Sequence, residues 1–252
     1  MEARLNERLN ENRSRVLDRI ARAARAASRD PAEIELLAIT KSVPDRLAMA
    51  LFDLGCLDLG ENRADDLVAR QAAFLASGRV ARWHFVGHLQ RNKARRVLRV
   101  AHAIHSVDSE ELYATLARLA EEEGRRPGIF LQLKLAEEAS KGGLAPEALP
   151  ALVERARQGP LPLLGLMTMA PLHDDALAAQ RAARTVFERL GGLARSLPAA
   201  AFAGGHARLS MGMSGDLEEA VRAGAHVVRV GSALFEGVAQ DEAGAGAERR
   251  RA

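Results

Sequence analysis

Ile34-Glu35-Leu36-Leu37-Ala38-Ile39-Thr40-Lys41-Ser42-Val43-Pro44-Asp45 is the stretch on which the fold turns. An apolar run of strand length ends on a lysine and passes directly into Pro-Asp, a pair suited to the opening turn of a helix. The same order then recurs down the chain. Strand-like runs fall at 33–40, 57–60, 82–86, 103–106, 128–135, 162–167, 207–210 and 227–230. Helical patterns lie between them at about 44–54, 64–76, 91–100, 109–123, 146–157, 176–196 and 216–223. Gly55, Gly124 and Gly224 stand where helices should stop, and Asp108 with Glu111 has capping-box spacing.

Eight strands alternating with helices in 252 residues predict an α/β protein, a single (β/α)8 TIM barrel. Leu5, Leu9, Val16 and Ile20 share one face of a further N-terminal helix, an extra cap on that barrel. The alternative is a doubly wound open sheet. It would carry a glycine-rich turn after its first strand, where Thr40-Lys41-Ser42-Val43 stands instead. One domain is expected over 1–238, with the Ala/Gly/Glu/Arg-rich 239–252 as a disordered tail.

Composition narrows the function. A chain with 48% hydrophobic residues buries a substantial core, and a net charge of +3 describes a solvated surface rather than a nucleic-acid footprint. Arg91, Lys93, Arg95, Arg96 and Arg99 do form a basic cluster on one helix. An exposed helix face is the expected reading, and an acidic partner or RNA is the alternative. Cys56 is the only cysteine, so no intrachain disulfide forms and a cytoplasmic location is expected. The charged N-terminus lacks a signal-peptide core, and no apolar run approaches a membrane span.

Lys41 carries the chemistry. Only four of the 36 Lys+Arg residues are lysines, so arginine is the default cation here. A primary amine attacks an aldehyde to form a Schiff base, which a guanidinium does not do. In a barrel, Lys41 ends strand 1 at the catalytic face, and phosphates are often held after strands 7 and 8. Leu209-Ser210-Met211-Gly212-Met213-Ser214 and Val228-Arg229-Val230-Gly231-Ser232 stand there. Backbone N–H groups at Gly231 and Ser232, with the Ser210 hydroxyl, suit a phosphate cradle. His84 and His88 straddle Gly87 at a strand end, without helical spacing or a third ligand, so no metal site is expected. Met167, Met169, Met211 and Met213 read first as barrel packing.

Those segments occur in order with Gly60-Glu61-Asn62, Trp83-His84-Phe85-Val86-Gly87-His88-Leu89-Gln90-Arg91-Asn92-Lys93, His105-Ser106-Val107-Asp108-Ser109, Glu138-Ala139-Ser140-Lys141-Gly142-Gly143-Leu144 and Leu166-Met167-Thr168-Met169. From about Leu36 to Phe235 the chain resembles the pyridoxal-phosphate homeostasis proteins, which are similar to the barrel domain of alanine racemase without its second domain. The resemblance implies pyridoxal 5'-phosphate bound as a Schiff base on Lys41. It implies Ser210, Gly231 and Ser232 on the phosphate, Arg229 at the ring nitrogen, and Asn62 and His84 lining the ring pocket, which puts Met211 beside the cofactor through its neighbour Ser210. It also links Glu138 and Lys141 to cofactor handling at the rim. Three departures stand out: Gly87-His88 where a proline is usual, Val43 where some members carry a second lysine, and arginines in the tail where some carry lysines.

The resemblance implies a carrier or buffer of the cofactor that serves apo-enzymes needing it, a monomer with a dimer as the alternative. Little or no turnover is expected. An arginine facing the ring nitrogen keeps it unprotonated and makes the ring a weaker electron sink. The racemase-like second base is a tyrosine, and the only one here, Tyr113, is poorly placed. The alternatives are a slow single-domain racemase-like enzyme and a basic-surface binding protein with a structural cofactor.

Overall fold

A computed structural model describes residues 2–41, 43–136, 142–171 and 173–238. After helix α1 (Glu2–Ala26) the chain alternates: β1 (Glu35–Ile39), α2 (Asp45–Asp53), β2 (Asp58–Glu61), α3 (Ala64–Ala76), β3 (Arg82–Phe85), α4 (Ala94–Val100), β4 (Ala103–Val107) and α5 (Glu110–Glu123). It continues with β5 (Gly128–Gln132), α6 (Leu149–Arg157), β6 (Leu163–Met167), α7 (Ala176–Arg195), β7 (Arg208–Ser210), α8 (Leu217–Arg222) and β8 (Val227–Val230). The strands close in sequence order into a barrel, every pair parallel, with Leu37 beside Arg229 where β8 meets β1. The eight predicted strands are all present, with ends that differ from the prediction by at most three residues. The tail beyond 238, Glu138 and Lys141 lie outside the described residues.

Alternation along the strands divides the interior in two. Leu59, Trp83, Phe85, Ile104, Leu131, Leu166 and Val228 point outward into the shell between strands and helices. Leu37, Ile39, Phe130, Met167 and Val227 fill part of the lumen. The rest of the lumen is polar, which is the first unusual feature of this barrel.

Helix boundaries follow local chemistry, with two differences from the sequence reading. Ser109, not Asp108, caps α5, its Oγ accepting the Leu112 N–H at 3.3 Å. Asp108 faces His88 instead, at 3.1 Å. Pro44 is the residue before the first helical turn of α2, at φ −60°, rather than inside it. Gly124 ends α5 in the left-handed region.

Helix α1 has a definite place in the ring. Among the described residues, the stretch after β8 opens with a 3-10 turn, Ser232–Leu234. α1 packs against that turn, α8 and α2. Asn12 donates to the carbonyls of Leu234 and Glu236, both at 3.0 Å, and Arg19 grips Glu218 while donating to Ser214 O at 3.0 Å. The N-terminal helix thus clamps the two loops that follow β7 and β8. No described helix is long and apolar enough to cross a membrane.

The turn before β8 makes the fold sensitive to acid. His226 Nδ1 accepts the Leu209 N–H at 3.1 Å, a bond only the neutral side of the ring can make. Burial, reinforced by Arg29, His206 and Arg208, pushes this imidazole down from 6.5 to about 4. A folded-state value below the unfolded one means stability that is present above pH 6.5 and lost as pH falls through 4. After allowance for partial exposure, roughly 2 kcal/mol should disappear over that window. Urea midpoints measured between pH 7 and pH 4 check this, and His226→Asn should flatten that part of the profile.

Candidate functional site

At the C-terminal mouth, Leu37 and Ile39 face the lumen, and Lys41, two residues on, continues that face and is exposed. Its amine has no ion-pair or hydrogen-bond partner among the described residues. Thr40 turns the other way: its hydroxyl donates to Glu61 Oε1 at 2.6 Å, and its N–H donates to Gly60 O at 3.0 Å. Arg70, from α3, lies 3.2 Å from the same Glu61 oxygen and donates to Val43 O at 2.7 Å. Both flanks of Lys41 are therefore tied to one buried ion pair. Burial pushes the Glu61 carboxyl up, opposed by the Thr40 bond and by Arg70.

The loops after β7 and β8 meet beside this lysine. Gly212 turns at φ +90°, a conformation that favours glycine, and its carbonyl accepts the Arg229 N–H at 2.9 Å. The Ala233 N–H reaches Ser214 Oγ at 3.4 Å, joining the two loops. A side chain at Gly231 would stand 3.3 Å from Ile39 O, so glycine lets the end of β8 press against the end of β1. The backbone N–H groups of Gly231 and Ser232 make no hydrogen bond to any described residue, and Ser232 is exposed. Unengaged amides at a strand end form a receptor for an anion. Asn62 sits half-buried across the mouth. A side chain at Gly87 would collide with its carbonyl at 2.0 Å, so Gly87 allows the ends of β2 and β3 to touch.

Inside the barrel a hydrogen-bonded chain crosses from β8 to β2. Arg229 donates through Nη1 to Ser210 Oγ at 2.9 Å and through Nη2 to Thr168 O at 3.0 Å. Ser210 Oγ lies 2.8 Å from His105 Nδ1, His105 Nε2 lies 2.9 Å from His84 Nδ1, and His84 Nε2 lies 3.2 Å from Asp58 Oδ1. Arg82 grips Asp58 through both of its oxygens. His105 is wholly buried and stacks on Phe130, with ring centres 4.3 Å apart. Burial pushes Arg229 down to about 10, opposed by Asp216, so it stays charged at neutral pH. His105 is held well below its ordinary 6.5, first by burial and then by the nearby cationic groups.

Lys41, Asn62, Gly231 and Ser232 thus gather at the C-terminal mouth. Arg229 and Ser210 lie in the lumen beneath, where the Ser210 hydroxyl is fully buried between His105 and Arg229. His84 is lower still. It lines a cavity of about 320 Å³ among Glu35, Asp58, Arg82, His102 and Arg208, most of them from strand starts. Glu35, Asp58 and His84 bring possible metal-ligand atoms within 4.8 Å of one another, but Arg208 and Arg82 already engage the two carboxylates. Met211 is buried in the outer shell, whereas Met167 and Met169 border the lumen. Tyr113 is in the shell too, its hydroxyl on Arg155 O at 3.3 Å. Most of the basic cluster is ion-paired: Arg95 pairs with Glu122 and Glu123, Arg99 with Glu123, and Lys93 and Arg96 with Asp65. His105 is the residue that sequence reasoning missed. The available signal was a histidine at a lumen-facing strand position.

Residues 14–238 match the family described as alanine racemase, N-terminal domain. A pyridoxal phosphate homeostasis protein from Pseudomonas aeruginosa is 41% identical over 229 residues, covering 89% of this chain and 94% of that one. Among solved structures, a protein of unknown role from Bifidobacterium adolescentis superposes with a TM-score of 0.82 at 30% identity, covering 93% and 97% of the two chains. PipY of Synechococcus elongatus, solved with PLP bound, superposes at 0.71 with 34% identity, covering 86% and 99%.

Proposed function

Since the chain belongs to the pyridoxal phosphate homeostasis protein family, built on the alanine racemase N-terminal domain, we propose that it binds pyridoxal 5'-phosphate at the C-terminal mouth through Lys41 and buffers or delivers that cofactor to apo-enzymes, with little or no turnover. One observation carries the reading: a lysine amine without a described partner stands beside the unengaged amides of Gly231 and Ser232, at the junction of β1 and β8. Those residues fit the group. When bound, the cofactor supplies an aldehyde that condenses with a primary amine and a ring that can withdraw electrons.

The chain's own residues divide the work. Lys41 would take the aldehyde, and Gly231 and Ser232 would hold the phosphate, each charge-assisted bond contributing ~1.5–3 kcal/mol. Arg229, a donor fixed by Ser210 and Thr168, would meet the ring nitrogen and keep a proton off it. Tyr113, the only tyrosine, has its hydroxyl on Arg155 O in the outer shell and offers no second base at the mouth. Holding an aldehyde suits this arrangement better than moving a substrate's α-proton.

Cofactor transfer to an apo-enzyme, timed against free cofactor, tests the proposal. Transfer from the loaded protein should be measurable, while alanine in deuterated water should keep its α-proton over many equivalents. Multi-turnover exchange would establish the racemase-like reading in its place.

A further inference from the structure

The lumen chain has one direction only. Asp58 is ionised: burial opposes its charge, but hydrogen bonds from Arg82 and His84 outweigh that and hold it well below the usual carboxylate range. It therefore accepts, and His84 Nε2 donates. His105, held well below its ordinary 6.5, is neutral, so one of its nitrogens donates and the other accepts, and Nε2 is the donor toward His84 Nδ1. By the same rule His105 Nδ1 accepts the Ser210 hydroxyl proton, which leaves the Ser210 oxygen lone pairs for Arg229. Every donor points from the guanidinium toward the carboxylate. The dipoles add along that line, and such chains strengthen one another. With the His105 proton on Nδ1, Ser210 would face two donors. Its own proton would have no acceptor among the described residues, the cost of a buried unsatisfied donor.

Resting on the cofactor reading above, we propose that His105 and His84 are positioning residues: they form a one-way relay, anchored on Asp58, that turns the Ser210 hydroxyl away from the mouth and fixes Arg229 as the donor to the cofactor ring. The far end of the relay opens on the cavity among the strand starts and is joined to Arg229 through four hydrogen bonds. Glu35 from β1, Arg82 from β3, His102 ahead of β4 and Arg208 from β7 surround that end. The relay thus makes the ring's electronic partner depend on groups at the opposite face of the barrel. It also assigns the Ser210 hydroxyl to Arg229 rather than to the phosphate.

Long-range 15N–1H spectra of the ligand-free protein read the relay without any cofactor. Both imidazoles should carry their proton on Nε2 at pH 7.5, and His84→Phe should move the His105 proton to Nδ1 or to a mixture. In the loaded protein His84→Phe should weaken pyridoxal phosphate binding about tenfold and shift the visible band, and His84→Gln should recover most of both. A wild-type His105 protonated on Nδ1 overturns the proposal, as does a His84→Phe protein with unchanged His105 signals and an unchanged band. If His84→Phe does not fold, the wild-type tautomers decide. If the tautomers are as stated but wild-type protein forms no borohydride-fixed adduct, the cofactor reading fails and the relay's direction stands.

Discussion

Lys41→Ala is expected to abolish the borohydride-fixed adduct with pyridoxal 5'-phosphate while leaving a weaker, reversible and phosphate-dependent interaction. The two anchors come from different parts of the chain: the amine from the end of β1, the free amides from the end of β8. Removing one leaves the other folded, because the exposed lysine side chain holds nothing else in place. Loss of the covalent contact should weaken binding by about a hundredfold or more, ~2.8 kcal/mol. Inorganic phosphate should still compete in the variant. Absorbance titration followed by borohydride treatment and peptide mapping makes the measurement. A fixed label that persists in Lys41→Ala would move the assignment to another amine. Lys93 is paired with Asp65, which leaves Lys134, just after β5, and Lys141, outside the described residues, as the places to look. Complete loss of binding in a folded variant would refute the division between the two anchors.

The barrel was legible in the sequence because its parallel strands are buried on both faces and so read as short apolar runs with helical intervals. Lys41 was legible for a different reason, as a rare residue type at a strand end. What escaped was the pairing of lumen residues. Asp58, His84, His105, Ser210 and Arg229 sit in five strands and meet only when the sheet closes, so no local spacing records their contact. Each is a polar residue at a lumen-facing strand position, and that pattern was the available clue. The place of α1 was hidden likewise, since its partners, α2, α8 and the turn after β8, come together only in the closed barrel. The arginines of α4 looked like a patch because their partners, Asp65, Glu122 and Glu123, come from neighbouring helices.

Arg70→Met should cost about 3–5 kcal/mol of stability at neutral pH, the largest loss expected from any single surface-to-core ion pair in this chain. Glu61 is completely buried, and one of its oxygens has no hydrogen-bond partner. Arg70 is the cation that offsets its charge among the described residues, at 3.2 Å. The substitution keeps the length of the side chain and removes the charge, so the penalty comes from a carboxylate left alone in the shell. Its dependence on pH has a definite sign. A folded-state pKa raised above the unfolded 4.5 gives stability that is present below 4.5 and lost as pH rises through the folded value. Without Arg70 that value rises further, so the deficit should shrink near pH 5 and grow toward pH 8. Glu61→Gln in the same protein should recover much of the loss by removing the charge. Urea unfolding of the three proteins at both pH values makes the test. A deficit under about 1 kcal/mol, or one that does not change with pH, would show that Glu61 is neutral in the folded protein already. The same variant also frees Val43 O from Arg70 Nη2, and so loosens the segment just after Lys41. Adduct formation at Lys41 should slow with it, because an amine held in one place reacts faster than one that must find it.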